Sequence, residues 1–226
     1  MPKDGSITRN KIMDVAQQMV LEVGLSGTSV EKVIEKADVT KSTFFYHFKT
    51  KHDLAGALIE RYASDDRDHF GEFMLKAEQL SRDPLQQLLI FIGLFIEMTE
   101  QLEEPFPGCL YASYCYQSGT ISADMLETIA KMMHFWRERL SNKLEYIVKL
   151  YPPKIPVEHY QVSDHLLTTF EGAFILSKIM KEPKLASEQL IQCRNYIELL
   201  FSKDETSKNQ NTQKHCKPLK QSDKLQ

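Results

Sequence analysis

Apolar residues along the chain recur at spacings of three and four almost throughout, the period of helices that bury one side. From Thr8 to Val23, residues Ile12, Val15, Ala16, Met19, Val20 and Val23 form one such stripe, and Gly24 supplies a stop. Thr28 or Ser29 can cap a second helix. Glu31 stands three residues after Thr28 as a capping-box acid, and Val30, Val33, Ile34 and Ala37 form the apolar face. Asp38 and Val39 interrupt the pattern. Thr40 can cap again, and a third short helix carries Phe44, Phe45 and Phe48 before Lys49 and Thr50 end it.

Longer helices are predicted over Lys51–Lys76, from Pro84 through Leu102, and over Cys109–Ser118, Ser122–Leu150, Val162–Lys181 and Leu185–Phe201. The Pro-bearing stretches EEPFPGC, YPPKIP and KEP connect them. Every connection runs from helix to helix, so the fold class is all-α, with no internal repeat. The expected organisation is a three-helix helix-turn-helix unit over residues 6–53, a larger helical body over 54–202, and a polar tail over 203–226. That tail has too little apolar content to offset the entropy of ordering.

The third short helix has two faces. Phe44 and Phe48 lie together on a 3.6-residue period and should plug the core under the first two helices. Thr40, Lys41, Ser42 and Thr43 open the helix, where small hydroxyls can reach base edges and N–H groups can face a phosphate. Tyr46, His47, Lys49 and Lys51 continue that surface with donors suited to phosphate oxygens. A helix, a tight turn and a second helix that presents such a face make a helix-turn-helix.

Charge is partitioned in the sense this requires. The chain of 226 residues carries a net charge of -3. Residues 1–52 hold eight Lys/Arg against six Asp/Glu, and residues 203–226 hold six against three. The remainder, with fourteen against twenty-two, is acidic. A mildly basic head on an acidic body suits a chain that offers one end to a polyanion.

Other classes find little support. The longest apolar run, LLIFIGLFIEM, is too short for a spanning helix, and no basic-then-apolar leader precedes the first helix, so the expectation is a cytoplasmic protein without a membrane partner. Catalysis would call for a nucleophile elbow, a phosphate-cradling Gly-rich loop or a metal-spaced His pair; none occurs, and neither cofactor nor metal is expected. Four cysteines, 109, 115, 193 and 216, show no CxxC pair. Cys115 and Cys193 read as small core residues, and Cys216 as a free thiol in the tail. Cys109 follows Pro-Gly and opens a helix, where unpaired N–H groups can favour a thiolate. A helical protein-interaction adaptor would explain the amphipathic stripes but not the polar face of the third helix.

The stretch TRNKIMDVAQQMVLEVGLSGTSVEKVIEKADVTKSTFFYHFKTKHDL resembles the N-terminal domain of the TetR (tetracycline-repressor-like) family. That family's pattern ends in a small-residue turn, a Lys/Ser/Thr-rich recognition helix, an aromatic-His-Phe triplet and then Lys-acid-Leu. TTFEGAFILSKIMKEP is similar to the penultimate helix of the family's C-terminal domain. The resemblance implies a homodimeric transcriptional regulator that binds a near-palindromic operator in double-stranded DNA and is released by a small-molecule effector. It implies Thr40, Lys41, Ser42, Thr43, Tyr46 and His47 as the recognition helix, and Thr28 and Lys51 as helix-start phosphate contacts. Two positions depart from the pattern: Asp38 stands where Gly is common, and Phe45 where Tyr is common.

For the body, expected effector-pocket walls are Phe91, Phe95, Met98, Tyr111, Tyr114, Trp136 and Tyr146. The last two long helices should form the dimer interface, with Gly172, Ala173 and Ser177 permitting close approach. Gly108-Cys109, opening the helix predicted over Cys109–Ser118, also resembles a motif in a TetR branch that responds to reactive electrophiles. That resemblance implies a reactive Cys109 with Lys178 as the cation nearby.

Overall fold

The computed structural model describes residues 5–115 and 121–202, and among them every regular element is a helix. In chain order they are α1 (Gly5–Gly27), α2 (Val30–Lys36), α3 (Lys41–His47), α4 (Lys51–Leu80), α5 (Pro84–Glu100), α6 (Leu110–Cys115), α7 (Ala123–Leu150), α8 (His159–Met180) and α9 (Leu185–Phe201). Ser118 and the segment 203–226, with Cys216, lie outside the described residues.

The head is built from α1 to α3. At Gly24 the backbone leaves helical geometry (φ 75°, ψ 166°), a conformation open to glycine, and the chain then makes one more turn to Gly27. The cap of α2 is Ser29, whose Oγ accepts from the Lys32 N–H at 3.2 Å; the Thr28–Glu31 capping box does not form. Asp38 takes the left-handed conformation at the turn (φ 49°), which an Asp tolerates better than most side chains. Thr40 caps α3 by accepting from the Thr43 N–H at 3.1 Å. Phe44 and Phe48 are buried with Ile12, Met13, Ala16 and Val33, as their spacing predicts.

Helix α4 leaves the head and enters the body. Thr50 and Asp53 form a reciprocal capping box at its start, both bonds at 3.0 Å. Its 30 residues run past the expected end at Lys76, a rise of about 45 Å. Arg61 ties it back to α1 through Asp14 at 2.7 Å and Gln17 at 2.9 Å.

In the body, α5 packs between α4 and α9, and α7 packs on α8. Helix α5 is apolar on nearly all sides, so it occupies the centre. Around it runs a chain of edge-to-face rings: Phe70 on Trp136 at 4.6 Å, Phe73 on Phe95 at 4.7 Å and Phe95 on Phe170 at 4.8 Å between centroids. Helix α6 packs on α1 and α4, and the Tyr114 hydroxyl donates to the Ala55 carbonyl at 3.1 Å. Among the described residues no helix is long and apolar enough to cross a membrane.

Candidate nucleic-acid interface and effector region

Helix α3 divides its side chains as its sequence suggests. Thr40, Lys41, Ser42 and Tyr46 are exposed, Tyr46 at 76 %, while Thr43 and His47 are half-buried at its edges. The Thr40 hydroxyl sits 2.9 Å from that of Ser42 and 2.8 Å from that of Thr43, so three hydroxyls cluster at the N-terminal end of the helix. Phe45 stays at the surface against Phe44, with 5.3 Å between ring centroids. Lys49 folds back onto the Phe45 carbonyl at 3.3 Å and satisfies the helix end. Lys51 is half-buried at the start of α4, and burial pushes its ammonium below the usual lysine range.

Thr28 departs from expectation. Its side chain is 2 % exposed, and its hydroxyl donates to the Gly24 carbonyl at 2.9 Å. That hydroxyl closes the kink in α1. The anion-facing capacity at this point belongs to the backbone N–H groups opening α2.

The family model described as bacterial regulatory proteins, tetR family, matches residues 12–58, which span most of α1, then α2, the turn, α3 and the start of α4. The head thus matches the TetR family. Similar curated proteins include the HTH-type transcriptional repressor DhaR of Mycobacterium sp. (strain GP1), 20% identical over 171 residues, covering 76% of this chain and 82% of that one. The HTH-type transcriptional repressor NemR of Escherichia coli (strain K12) is 22% identical over 190 residues, 84% of this chain and 94% of its own. Among solved structures, regulatory protein TetR from Rhodobacter sphaeroides superposes with a TM-score of 0.71 at 18% identity, covering 84% of this chain and 98% of that one. The reduced form of E. coli NemR gives 0.68 at 20% identity, with 84% and 96% covered. The matched family is one of bacterial regulatory proteins, and the chain has the helix-turn-helix head and helical body seen in those solved structures.

The expected pocket walls sit mostly in the core. Phe91 and Tyr114 are fully buried, and Tyr111, Trp136 and Phe95 nearly so, while Met98 packs against them. The rings of Phe91, Phe95 and Trp136 pack on one another beside α5's neighbours. Tyr146 is the exception, exposed at 64 % on α7, where it lines a groove against α4.

The polar groups among these rings form a cluster that sequence reasoning missed. Asp66 accepts from the Trp136 indole N–H at 3.0 Å and from the Tyr111 hydroxyl at 3.2 Å. Burial pushes its carboxyl above the usual carboxylate range, opposed by those two donors. Glu171 of α8 is likewise pushed up by burial and accepts from the Cys109 thiol.

Cys109 corrects a second expectation. It precedes α6 as its cap position, with its carbonyl accepting from the Ser113 N–H at 3.1 Å. Burial and the neighbouring Glu171 carboxylate push the thiol well above its ordinary range, and nearby backbone N–H groups offset this only in part. The helix start does not yield a thiolate at neutral pH. Lys178 makes no ion pair with it. Its ammonium donates to the Leu21 carbonyl of α1 and, at 3.0 Å, to the Pro107 carbonyl of the loop before Cys109. Gly108 between them has φ 109°, a conformation that a side chain would strain.

The other cysteines divide as well. Cys193 is buried as expected, whereas Cys115 is exposed at the end of α6.

The outer face of α8 also differs from expectation. Ala173 and Ser177 are buried within the chain's own core. Gly172 meets open space, and with Ile175, Leu176 and Ile179 it forms the outward stripe at helical spacing.

Proposed function

We propose that the protein is a homodimeric repressor. It holds a near-palindromic operator through α3 of each protomer and releases it when a small organic effector binds the body. The observation that carries this reading is α3, whose exposed hydroxyls, Lys41 and Tyr46 stand on a helix pinned from below by Phe44 and Phe48. In this role Thr40, Ser42 and Thr43 meet base edges, while Lys41, Tyr46, His47 and Lys51 donate to phosphates. The outward stripe on α8 meets its symmetry mate together with Leu199 of α9, which is 67 % exposed. Two heads then face successive major grooves. An effector that fits one position of α4 better than another shifts the spacing of the heads, which is all that release requires. The place of action is the cytoplasm.

Selecting genomic fragments with the full chain tests this directly. Recovered sequences should share a two-fold-symmetric motif, and affinity should fall steeply with salt. Retention of no preferred sequence, with binding insensitive to salt, would favour a helical protein-interaction adaptor.

A second reading of the effector, a reactive electrophile captured by Cys109, is supported by the Pro107–Lys178–Leu21 link, through which a change at Cys109 would act on the head. The thiol gives its proton to water as sulfur bonds to a ring carbon of the quinone. The displaced π pair moves to the carbonyl oxygen, which takes a proton back from solvent. A quinone should then release DNA from the wild type but not from Cys109→Ser. Equal release from both would leave the noncovalent effector.

A further inference from the structure

Between α4, the α4–α5 connection and α7 lies a groove of about 710 Å³. Its walls carry Arg67, Arg82, Arg139 and Lys143 against a single carboxylate, Glu78. Lys143 is committed, donating to Glu78 at 2.7 Å and to Gln87 at 2.8 Å. The three arginines make no ion pair among the described residues. Arg67 instead lies 5.7 Å from the centroid of the Phe135 ring and 3.5 Å from the Met132 sulfur, and Arg139 lies 5.5 Å from the centroid of the same ring. Two guanidinium groups therefore share one aromatic ring on an otherwise acidic body. The floor between them is apolar: Phe70, Met74, Phe135 and Leu150. Sequence carried a faint sign of this, because neither Arg67 nor Arg139 has an acid three or four residues away.

We infer that this groove binds an amphipathic organic carboxylate, its acid group held by Arg67 and Arg139 and its hydrocarbon laid along Phe70, Met74 and Leu150. A guanidinium matches a carboxylate in a two-bonded, planar fit, a stronger partner than a ring face. The volume suits a small organic molecule. Arg67 belongs to α4 and Arg139 to α7, so one acid group bridging them fixes the spacing of these helices. Helix α4 continues into the head, and the ligand thereby selects one head position. The inference rests on the repressor reading for its regulatory consequence; binding itself is measured without DNA.

The test is calorimetric titration of the full-length protein with decanoate, decanol and decyltrimethylammonium. Decanoate should bind at least about tenfold more tightly than either isostere. The Arg67→Gln/Arg139→Gln variant should lose about tenfold or more of that affinity, and Lys184→Gln, an exposed charge at the start of α9 outside the groove walls, should lose none. Arg82→Gln, in the exposed connection, supplies a milder variant with a smaller loss. Equal affinity for all three amphiphiles, absence of any binding, or decanoate affinity indifferent to the arginines would overturn the site. Decanoate bound with operator affinity unchanged would overturn its regulatory role. A wild type that binds decanoate yet retains no operator would instead count against the repressor reading and leave the groove standing.

Discussion

Lys178 on α8 donates to the carbonyl of Leu21 on α1, joining body to head across 157 positions of sequence. The same ammonium holds the Pro107 carbonyl at 3.0 Å, so the loop before Cys109 is part of the link. Replacing Lys178 with Met keeps the aliphatic stem and removes both bonds. The expected cost is roughly 1–2 kcal/mol, in the range for charged donors to carbonyls near a surface. A urea midpoint that does not move would mean that water substitutes for the ammonium at both carbonyls.

Thr28 and Lys51 should separate cleanly in DNA binding. Thr28→Val keeps the buried shape and loses the bond to Gly24, so it should cost roughly 1–2 kcal/mol of stability while leaving the salt dependence of binding unchanged. Lys51→Ala should weaken binding to all sequences alike and reduce the salt slope by about one. Thr43→Ala should instead shift base preference, by about 1–3 kcal/mol at a contacted step. A salt slope reduced by Thr28→Val would restore that hydroxyl as a phosphate ligand.

The head was legible because its signals are local. Gly24, Asp38, Thr40 and the Thr50–Asp53 box each act within four residues, and Phe44 with Phe48 declare one face by spacing alone. Thr28 misled for the same reason: T-x-x-E reads as a capping box, but Ser29 one position later makes the bond. In the body the deciding neighbours are remote. Spacing shows that Phe91, Tyr111 and Trp136 are buried on their helices but not whether those helices enclose space or fill it. Nothing near Cys109 in sequence announces its burial or Glu171, which together outweigh the helix start that seemed to favour a thiolate.

Glu171 predicts a pH effect of definite sign. Burial pushes its carboxyl above the usual carboxylate range, so the folded chain holds this proton to higher pH than the unfolded chain does. Stability therefore falls as pH rises from the ordinary carboxylate range through the folded value, and above it the buried charge is a full net cost. Glu171→Gln removes that cost. The variant should melt above the wild type near about pH 8, and the gap should narrow on acidification. Asp66, also pushed up by burial, is present in both proteins and does not create the difference. Iodoacetamide should also label Cys109 faster in the variant, because the carboxylate no longer opposes the thiolate. A constant melting gap across pH would show that Glu171 does not titrate differently on folding.

The outward stripe of α8 gives the sharpest test of assembly. Ile179 is 71 % exposed and Leu176 is 47 % exposed, so changing them removes little from the chain's own core. Such apolar exposure at helical spacing is costly in water unless another surface covers it. Leu176→Lys/Ile179→Lys should leave the melting of the monomer fold nearly intact while placing like charges across a two-fold contact, where they face their own copies. Sedimentation at micromolar concentration should then show the wild type as a dimer and the variant as a monomer. Operator affinity should fall with it, because a single head keeps only half of the base and phosphate contacts and loses the gain from tethering the second. A variant that stays dimeric would move the interface to another face. A monomeric variant with full operator affinity would break the proposed connection between two-fold symmetry and operator recognition.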